Sequence, residues 1–132
     1  MAEGALAGKR ILLVEDEFFV AMALEELLRS LGCHVVGPSG ELDEAVGLAG
    51  AEALDAAVLD VDLRGRAVFP VAEVLAERGI GFVLATGHEA DALPESFRDV
   101  PRLRKPFQAR EIQSALVAAV AATAPPDGRE GR

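Results

Sequence analysis

The sequence predicts an α/β fold in which a parallel sheet is covered by helices on both faces. Short aliphatic runs alternate with stretches of helical periodicity, and this order repeats five times along the 132 residues. The aliphatic runs do not alternate with polar residues, which is typical of parallel strands buried on both faces. Short connections between successive elements favour a doubly wound sheet.

Five strands are predicted, at 11–14, 35–36, 56–59, 82–85 and, more weakly, around Leu103. Helices are predicted at 20–31, 42–49, 69–78 and 108–122, and a further stretch at 89–99 is interrupted by Pro94. In the first helix apolar residues recur every three or four positions, and Gly32 follows as a stop signal. Pro70 suits the first turn of the third helix.

These elements define one predicted domain at 9–122, because the length suits a single core. Residues 1–8 are predicted to be an N-terminal extension. Residues 123–132 are predicted to be a disordered tail, since they carry no apolar periodicity.

The composition limits the partners and the compartment. The chain has 22 acidic and 13 basic residues, and its net charge of −9 disfavours a phosphate-backbone binder, so no nucleic-acid partner is expected. A single cysteine, Cys33, cannot form an internal disulfide, which favours a reducing cytoplasm. Acidic residues at 15–17 end the first apolar run, so neither a signal peptide nor a membrane span is expected.

Polar residues follow the predicted strands where each of them ends. They are Glu15 and Asp16 after the first strand, Asp60 after the third, Thr86 after the fourth and Lys105 after the fifth. Ligands bind at this edge of an open parallel sheet, so these side chains are expected to share a pocket. Carboxylates so close together raise one another's pKa unless a cation compensates, and Mg²⁺ is the natural choice.

Four motifs carry a resemblance to a known family. They are ILLVEDE at 11–17, AAVLDVDLRG at 56–65, VLATG at 83–87 and RKPF at 104–107. In this order and spacing the chain resembles the receiver domain of bacterial two-component response regulators, and in particular single-domain, chemotaxis-regulator-like receivers. The resemblance implies a five-stranded flavodoxin-like (βα)5 fold with strand order 2-1-3-4-5.

The resemblance also implies the chemistry. Asp60 would accept a phosphoryl group from a sensor histidine kinase or a histidine phosphotransfer protein. Mg²⁺ or Mn²⁺ would be bound directly by Asp16 and Asp60, through water by Glu15, and by the main-chain carbonyl of Asp62. Lys105 would contact the phosphoryl oxygens, since an ammonium is a point-charge donor that suits this group.

The resemblance further implies residues that change conformation on phosphorylation or set how long the phosphoryl group stays. Thr86 and Gly87 would bind the phosphoryl group and change conformation with it, and the Lys105–Pro106 peptide would be cis. Asp62 and His88 would flank the attacking water and tune the lifetime of the phosphorylated state. VLATG is also similar to the F-A-T-G motif of an alphaproteobacterial subgroup of single-domain regulators.

One position departs from the family pattern. Many receivers carry an aromatic switch residue three positions before the lysine, where this chain has Arg102, and it has no Tyr or Trp at all. Output is therefore expected through a downstream protein partner or by onward phosphotransfer, with no separate catalytic domain. A homodimer is also possible through the fourth helix, fifth strand and fifth helix, the family's usual interaction face.

Two alternatives compete with this interpretation. Asp60 and Asp62 form a D-x-D pair that resembles the nucleophile motif of haloacid-dehalogenase-like phosphatases, although that motif lies on the first strand and expects a small polar residue where this chain has Arg64. The chain could also be a receiver-like interaction module that accepts no phosphate. Taken singly, Asp60 and the acids at 15–17 could merely cap helices.

Several other residues have an ordinary structural interpretation. Phe18 and Phe19 are expected to be a packing residue and a surface neighbour. Cys33 and His34 are expected to be a semi-buried pair without chemistry. Arg102 and Arg104 are expected to face solvent while Leu103, between them, faces the core.

Overall fold

The computed structural model of the chain describes residues 2–87, 97 and 99–124. Its elements, in chain order, are α1 Ala2–Leu6, β1 Arg10–Val14, α2 Phe18–Ser30, β2 His34–Ser39, α3 Leu42–Ala51, β3 Ala56–Asp60, β4 Asp62–Leu63, β5 Arg66–Ala67, α4 Phe69–Glu77, β6 Phe82–Thr86, β7 Arg102–Arg104 and α5 Ala109–Ala122. Among these described residues, no helix is long and apolar enough to cross a membrane.

Five of the strands form one parallel sheet in the order β2-β1-β3-β6-β7. Since β6 and β7 are the fourth and fifth predicted strands, the predicted order 2-1-3-4-5 and the α/β fold class are confirmed. The chain crosses from β1 to β2 on one side of β1 and then returns to β3 on its other side. This reversal creates the switch point at which open sheets bind ligands.

The sheet separates two hydrophobic cores. Successive residues of a strand point to opposite faces, so Leu12 and Val14 of β1 join the core beneath α3 and α4, while Ile11 and Leu13 join the core beneath α2 and α5. All four side chains are fully buried. Burial on both faces is the reason that the central strands β1, β3 and β6 are almost entirely apolar.

Two elements were not predicted from the sequence. Helix α1 lies where an extension was expected, and the buried side chain of Leu6 places it against α5. A two-stranded antiparallel hairpin, β4 with β5, follows β3. Both consist of segments of five residues or fewer, which are too short for hydrophobic periodicity to register.

The second strand is longer than predicted because Gly37 and Pro38 suggest a turn but lie within β2. Gly37 has a φ of +96°, and a Cβ there would lie 2.9 Å from the carbonyl oxygen of Leu13, so only glycine fits. The Gly37–Pro38 peptide is cis. The predicted helical stretch 89–99 and the predicted tail 123–132 lie largely outside the described residues.

We expect Leu6→Ala to lower the free energy of unfolding by about 2–4 kcal/mol, because it empties a fully buried site in the core under α5. Urea unfolding measures the change. The matched control is Gly4→Ala in the same helix, where a Cβ has no atom within 4 Å and the free energy should stay constant or rise by up to about 1 kcal/mol. A loss below about 0.5 kcal/mol for Leu6→Ala would show that α1 is not part of the core.

Candidate functional site

The carboxyl ends of the parallel strands bring the predicted polar residues together. Glu15 follows β1, Asp60 ends β3, Thr86 ends β6 and Lys105 follows β7. The register places Asp60 opposite Ala85, next to Thr86. The main-chain N–H of Lys105 donates to the carbonyl oxygen of Thr86 at 2.8 Å, which ties the ends of β6 and β7 together.

Three carboxylates form the centre of the site. Glu15, Asp16 and Asp60 each offer an oxygen within 4.8 Å of the others. Glu15 and Asp60 are buried, whereas Asp16 is half-buried. Neighbouring main-chain amides orient all three carboxylates. The Glu17 N–H donates to Glu15 Oε2 at 3.1 Å. The Arg64 N–H donates to Asp16 Oδ2 at 3.0 Å, and the Asp62 N–H donates to Asp60 Oδ1 at 3.2 Å.

Lys105 supplies the positive charge. Its Nζ lies 2.9 Å from Glu15 Oε1 and 3.4 Å from Asp60 Oδ2, so one ammonium bridges two buried carboxylates. The lysine itself is half-buried. The Lys105–Pro106 peptide is cis, as the resemblance implies.

Burial and crowding shift the ionisation of Asp60. Burial and the neighbouring Glu15 carboxylate raise the pKa of this carboxyl, and the Lys105 ammonium opposes both effects. The net result is a pKa raised from 3.8 to about 7. For Lys105, burial alone would lower the pKa, but the hydrogen bond to Glu15 and the charge of Asp60 outweigh it, so the pKa is raised.

The donor set fits a hard divalent cation. Three carboxylates face one ammonium, which leaves uncompensated negative charge when all of them are ionised. Carboxylate oxygens are the ligands that Mg²⁺ prefers. Among the described residues, Asp16 Oδ1 has no hydrogen-bond partner, so one carboxylate oxygen is available without breaking an existing bond.

The other predicted positions lie at the rim of the site or outside the described residues. Thr86 is buried at the end of β6, and Gly87 after it is exposed. The exposed Asp62 carboxylate accepts the Gly65 N–H at 2.9 Å, so its side chain belongs to the β4–β5 hairpin. His88 lies outside the described residues. Sequence reasoning missed the Arg64 amide, because a main-chain donor leaves no signature in residue type.

An apolar groove of about 580 Å³ adjoins the site between α2 and the segment 105–109. Gly87 and Lys105 line it together with apolar side chains of α2, including Phe19. Phe18 is 69% exposed and Phe19 79%, so the expectation that Phe18 is a packing residue is wrong. The reason is helical phase: the buried face of α2 runs through Ala21, Leu24 and Leu28.

The remaining side chains lie outside the site, and the expected semi-buried pair Cys33 and His34 is divided between the core and the surface. Cys33 is buried, which raises the pKa of its thiol, and His34 beside it is exposed. Arg102 and Arg104 are exposed, and Leu103 between them packs against the core under α2 and α5. None of these residues contributes a group to the carboxylate cluster.

Comparison with solved structures gives close matches over nearly the whole chain. SdrG from Sphingomonas melonis Fr1 is 44% identical, with a TM-score of 0.75 over 89% of this chain and 98% of that one. The receiver domain of the sensor histidine kinase PA1611 from Pseudomonas aeruginosa PAO1, which has a magnesium ion coordinated in its active-site cleft, is 27% identical, with a TM-score of 0.70 over 87% and 99%. No family model matches the chain.

A curated relative is also similar in sequence to most of the chain. The transcriptional regulatory protein PdtaR of Mycobacterium tuberculosis is 32% identical over 120 residues, which are 88% of this chain and 58% of that protein. The chain therefore spans little more than half the length of that relative. These similarities do not support the haloacid-dehalogenase-like alternative. The chain belongs to the receiver-domain family of two-component response regulators.

Proposed function

We propose that this receiver is a phosphorylation-dependent switch whose phosphoryl acceptor is Asp60. The observation that carries the proposal is the position of the Asp60 carboxylate, which is buried at the sheet edge, bordered by Glu15 and Asp16 and contacted by Lys105. Membership of the receiver family supports a signalling role. The net charge of −9 fits an output through protein partners and not through nucleic acid.

The chemistry follows from these side chains. A carboxylate oxygen of Asp60 attacks phosphorus while the bond from phosphorus to the donor imidazole nitrogen breaks, and the nitrogen keeps the electron pair. Phosphoryl transfer depends mainly on positioning and on the neutralisation of charge. Lys105 Nζ, which lies 3.4 Å from Asp60 Oδ2, would donate to a transferred phosphoryl oxygen.

A divalent cation belongs to this proposal. Glu15, Asp16, Asp60 and the main-chain carbonyl of Asp62 would hold Mg²⁺ or Mn²⁺. When bound, the ion would supply the positive charge that three carboxylates and a phosphoryl group require. The magnesium in the cleft of the PA1611 receiver supports the assignment.

The response to phosphorylation would pass through the end of β6. Thr86 would donate its hydroxyl to the phosphoryl group, and Gly87 would move with it. Arg102, exposed on β7, replaces the usual aromatic switch residue, so the signal would travel through Thr86 and the segment after it. Asp62 and His88 would tune the lifetime of the phosphorylated state.

The partners follow from the same chemistry. The donor would be a sensor histidine kinase or a histidine phosphotransfer protein in the cytoplasm, and the phosphorylated form would bind a downstream protein. The groove that Lys105 and the exposed Phe19 line would be part of the surface that the donor contacts. A homodimer through β7, α5 and the predicted helical stretch 89–99 would also belong to the proposal, as would the absence of catalysis beyond the receiver's own phosphorylation and dephosphorylation.

We expect acetyl phosphate with Mg²⁺ to add one phosphoryl group to the wild type and none to Asp60→Asn, because the amide lacks the nucleophilic carboxylate. Intact-protein mass spectrometry under acidic quench measures the product. Asp43→Asn, on the exposed surface of α3, is the matched control, since it makes the same chemical change away from the site and should be labelled like wild type. Equal labelling of wild type and Asp60→Asn would exclude Asp60 as the acceptor.

Asp16→Asn should weaken Mg²⁺ binding by about tenfold or more, because it removes the ligand charge. Isothermal titration calorimetry suits this measurement, since a chain without Tyr or Trp has little intrinsic fluorescence. Glu26→Gln, on the exposed face of α2, makes the same change in net charge away from the site. If the two variants bind Mg²⁺ with the same affinity, Asp16 is not a ligand.

Stability should depend on pH through Asp60. Its pKa is about 7 in the folded chain and 3.8 ordinarily, so the folded state keeps a proton that the unfolded state releases between these values. The stability of metal-free wild type therefore falls as pH rises through this window, and the loss is complete above it. Urea unfolding in EDTA should find Asp60→Asn more stable at pH 8 by on the order of 2 kcal/mol, with a smaller advantage at pH 5. An advantage that is the same at both pH values would contradict this explanation.

A further inference from the structure

The loop after Asp60 is folded as a tight hairpin. Strands β4 and β5 pair antiparallel, with Leu63 opposite Arg66, so Arg64 and Gly65 form a two-residue turn. Their φ angles are +53° and +84°. Positive φ at both central residues is the signature of a type I′ turn, which matches the twist of the flanking strands. Arg64 is the one non-glycine residue at positive φ in the described part of the chain.

The hairpin is anchored at its base and across its turn. The Val68 N–H donates to the Val61 carbonyl at 2.9 Å, and the side chains of Leu63 and Val68 are buried in the core under α3 and α4. The Asp62 carboxylate accepts the Gly65 N–H at 2.9 Å. The position of the turn is therefore fixed relative to β3 and to the Asp60 that ends it.

From this position the turn contacts the connection between β1 and α2, which carries Asp16. The Arg64 main-chain N–H donates to Asp16 Oδ2 at 3.0 Å, across 48 residues of sequence. Asp16 is half-buried in the connection between β1 and α2, where it could otherwise adopt other rotamers. The bond uses one oxygen and leaves Oδ1 without a partner among the described residues.

We propose that Arg64 is a positioning residue for the divalent cation, whose main-chain N–H, held at positive φ, orients the Asp16 carboxylate for metal binding. This inference rests on the proposed cation site at Glu15, Asp16 and Asp60. A hydrogen bond to a metal-ligating carboxylate from the surrounding shell commonly changes metal affinity by about 10–100-fold. The exposed guanidinium is not required, because the contact is made by the main chain.

A matched pair of variants separates backbone conformation from charge. Arg64→Asn and Arg64→Val both remove the guanidinium, but Asn tolerates positive φ whereas a β-branched residue does not. By calorimetry, Arg64→Asn should bind Mg²⁺ within about twofold of wild type, and Arg64→Val should bind about tenfold more weakly. If Arg64→Val does not fold, Arg64→Ala, which takes positive φ at smaller cost, replaces it in the same comparison.

A further variant removes the effect of stability from the comparison. Leu6→Ala lowers stability far from the site, and its Mg²⁺ affinity should equal that of wild type. Equal affinities for Arg64→Asn and Arg64→Val would overturn the positioning role and leave the proposed function intact. If wild type itself fails to bind Mg²⁺, the proposed cation site is wrong, and the positioning role is wrong with it.

Discussion

Glu15, Asp16 and Asp60 place three carboxylates within 4.8 Å of one another at the carboxyl edge of the sheet, and the surrounding structure responds to this crowding. Lys105 bridges two of these groups, and main-chain N–H groups take up an oxygen of each. Burial and the Glu15 carboxylate still raise the pKa of Asp60 to about 7. The ionised site therefore carries more negative charge than Lys105 neutralises, and a bound cation would compensate the excess. A receiver uses such a site to accept a phosphoryl group.

The fold keeps these groups together because they lie at the carboxyl ends of neighbouring parallel strands. Strands β1, β3 and β6 are buried on both faces, and β7 pairs with β6, so the strand ends have little freedom to move apart. The Lys105–Thr86 main-chain bond joins the position of the ammonium to the proposed switch residue. A phosphoryl group that contacts Thr86 would therefore affect the ends of both β6 and β7.

Much of this organisation could be predicted from the sequence. Apolar runs that alternate with stretches of helical periodicity predicted the parallel sheet. The polar residues at the ends of the strands predicted the composition of the site. What could not be predicted depends on the main chain or on very short segments. The amide of Arg64 is invisible in residue type, α1 is too short for periodicity, and the exposure of Phe18 depends on where α2 begins. Such features are fixed by tertiary packing and not by local pattern.

The central claim is that Asp60 and a divalent cation together form a site for a phosphoryl group. Beryllofluoride mimics that group on a carboxylate, and its binding can be followed in amide nuclear magnetic resonance spectra of the 15N-labelled chain. With Mg²⁺ present, the amides of Thr86, Gly87 and Lys105 should shift, whereas omitting Mg²⁺ or substituting Asp60→Asn should abolish the change. Shifts that persist in Asp60→Asn, or that need no divalent cation, would contradict the account.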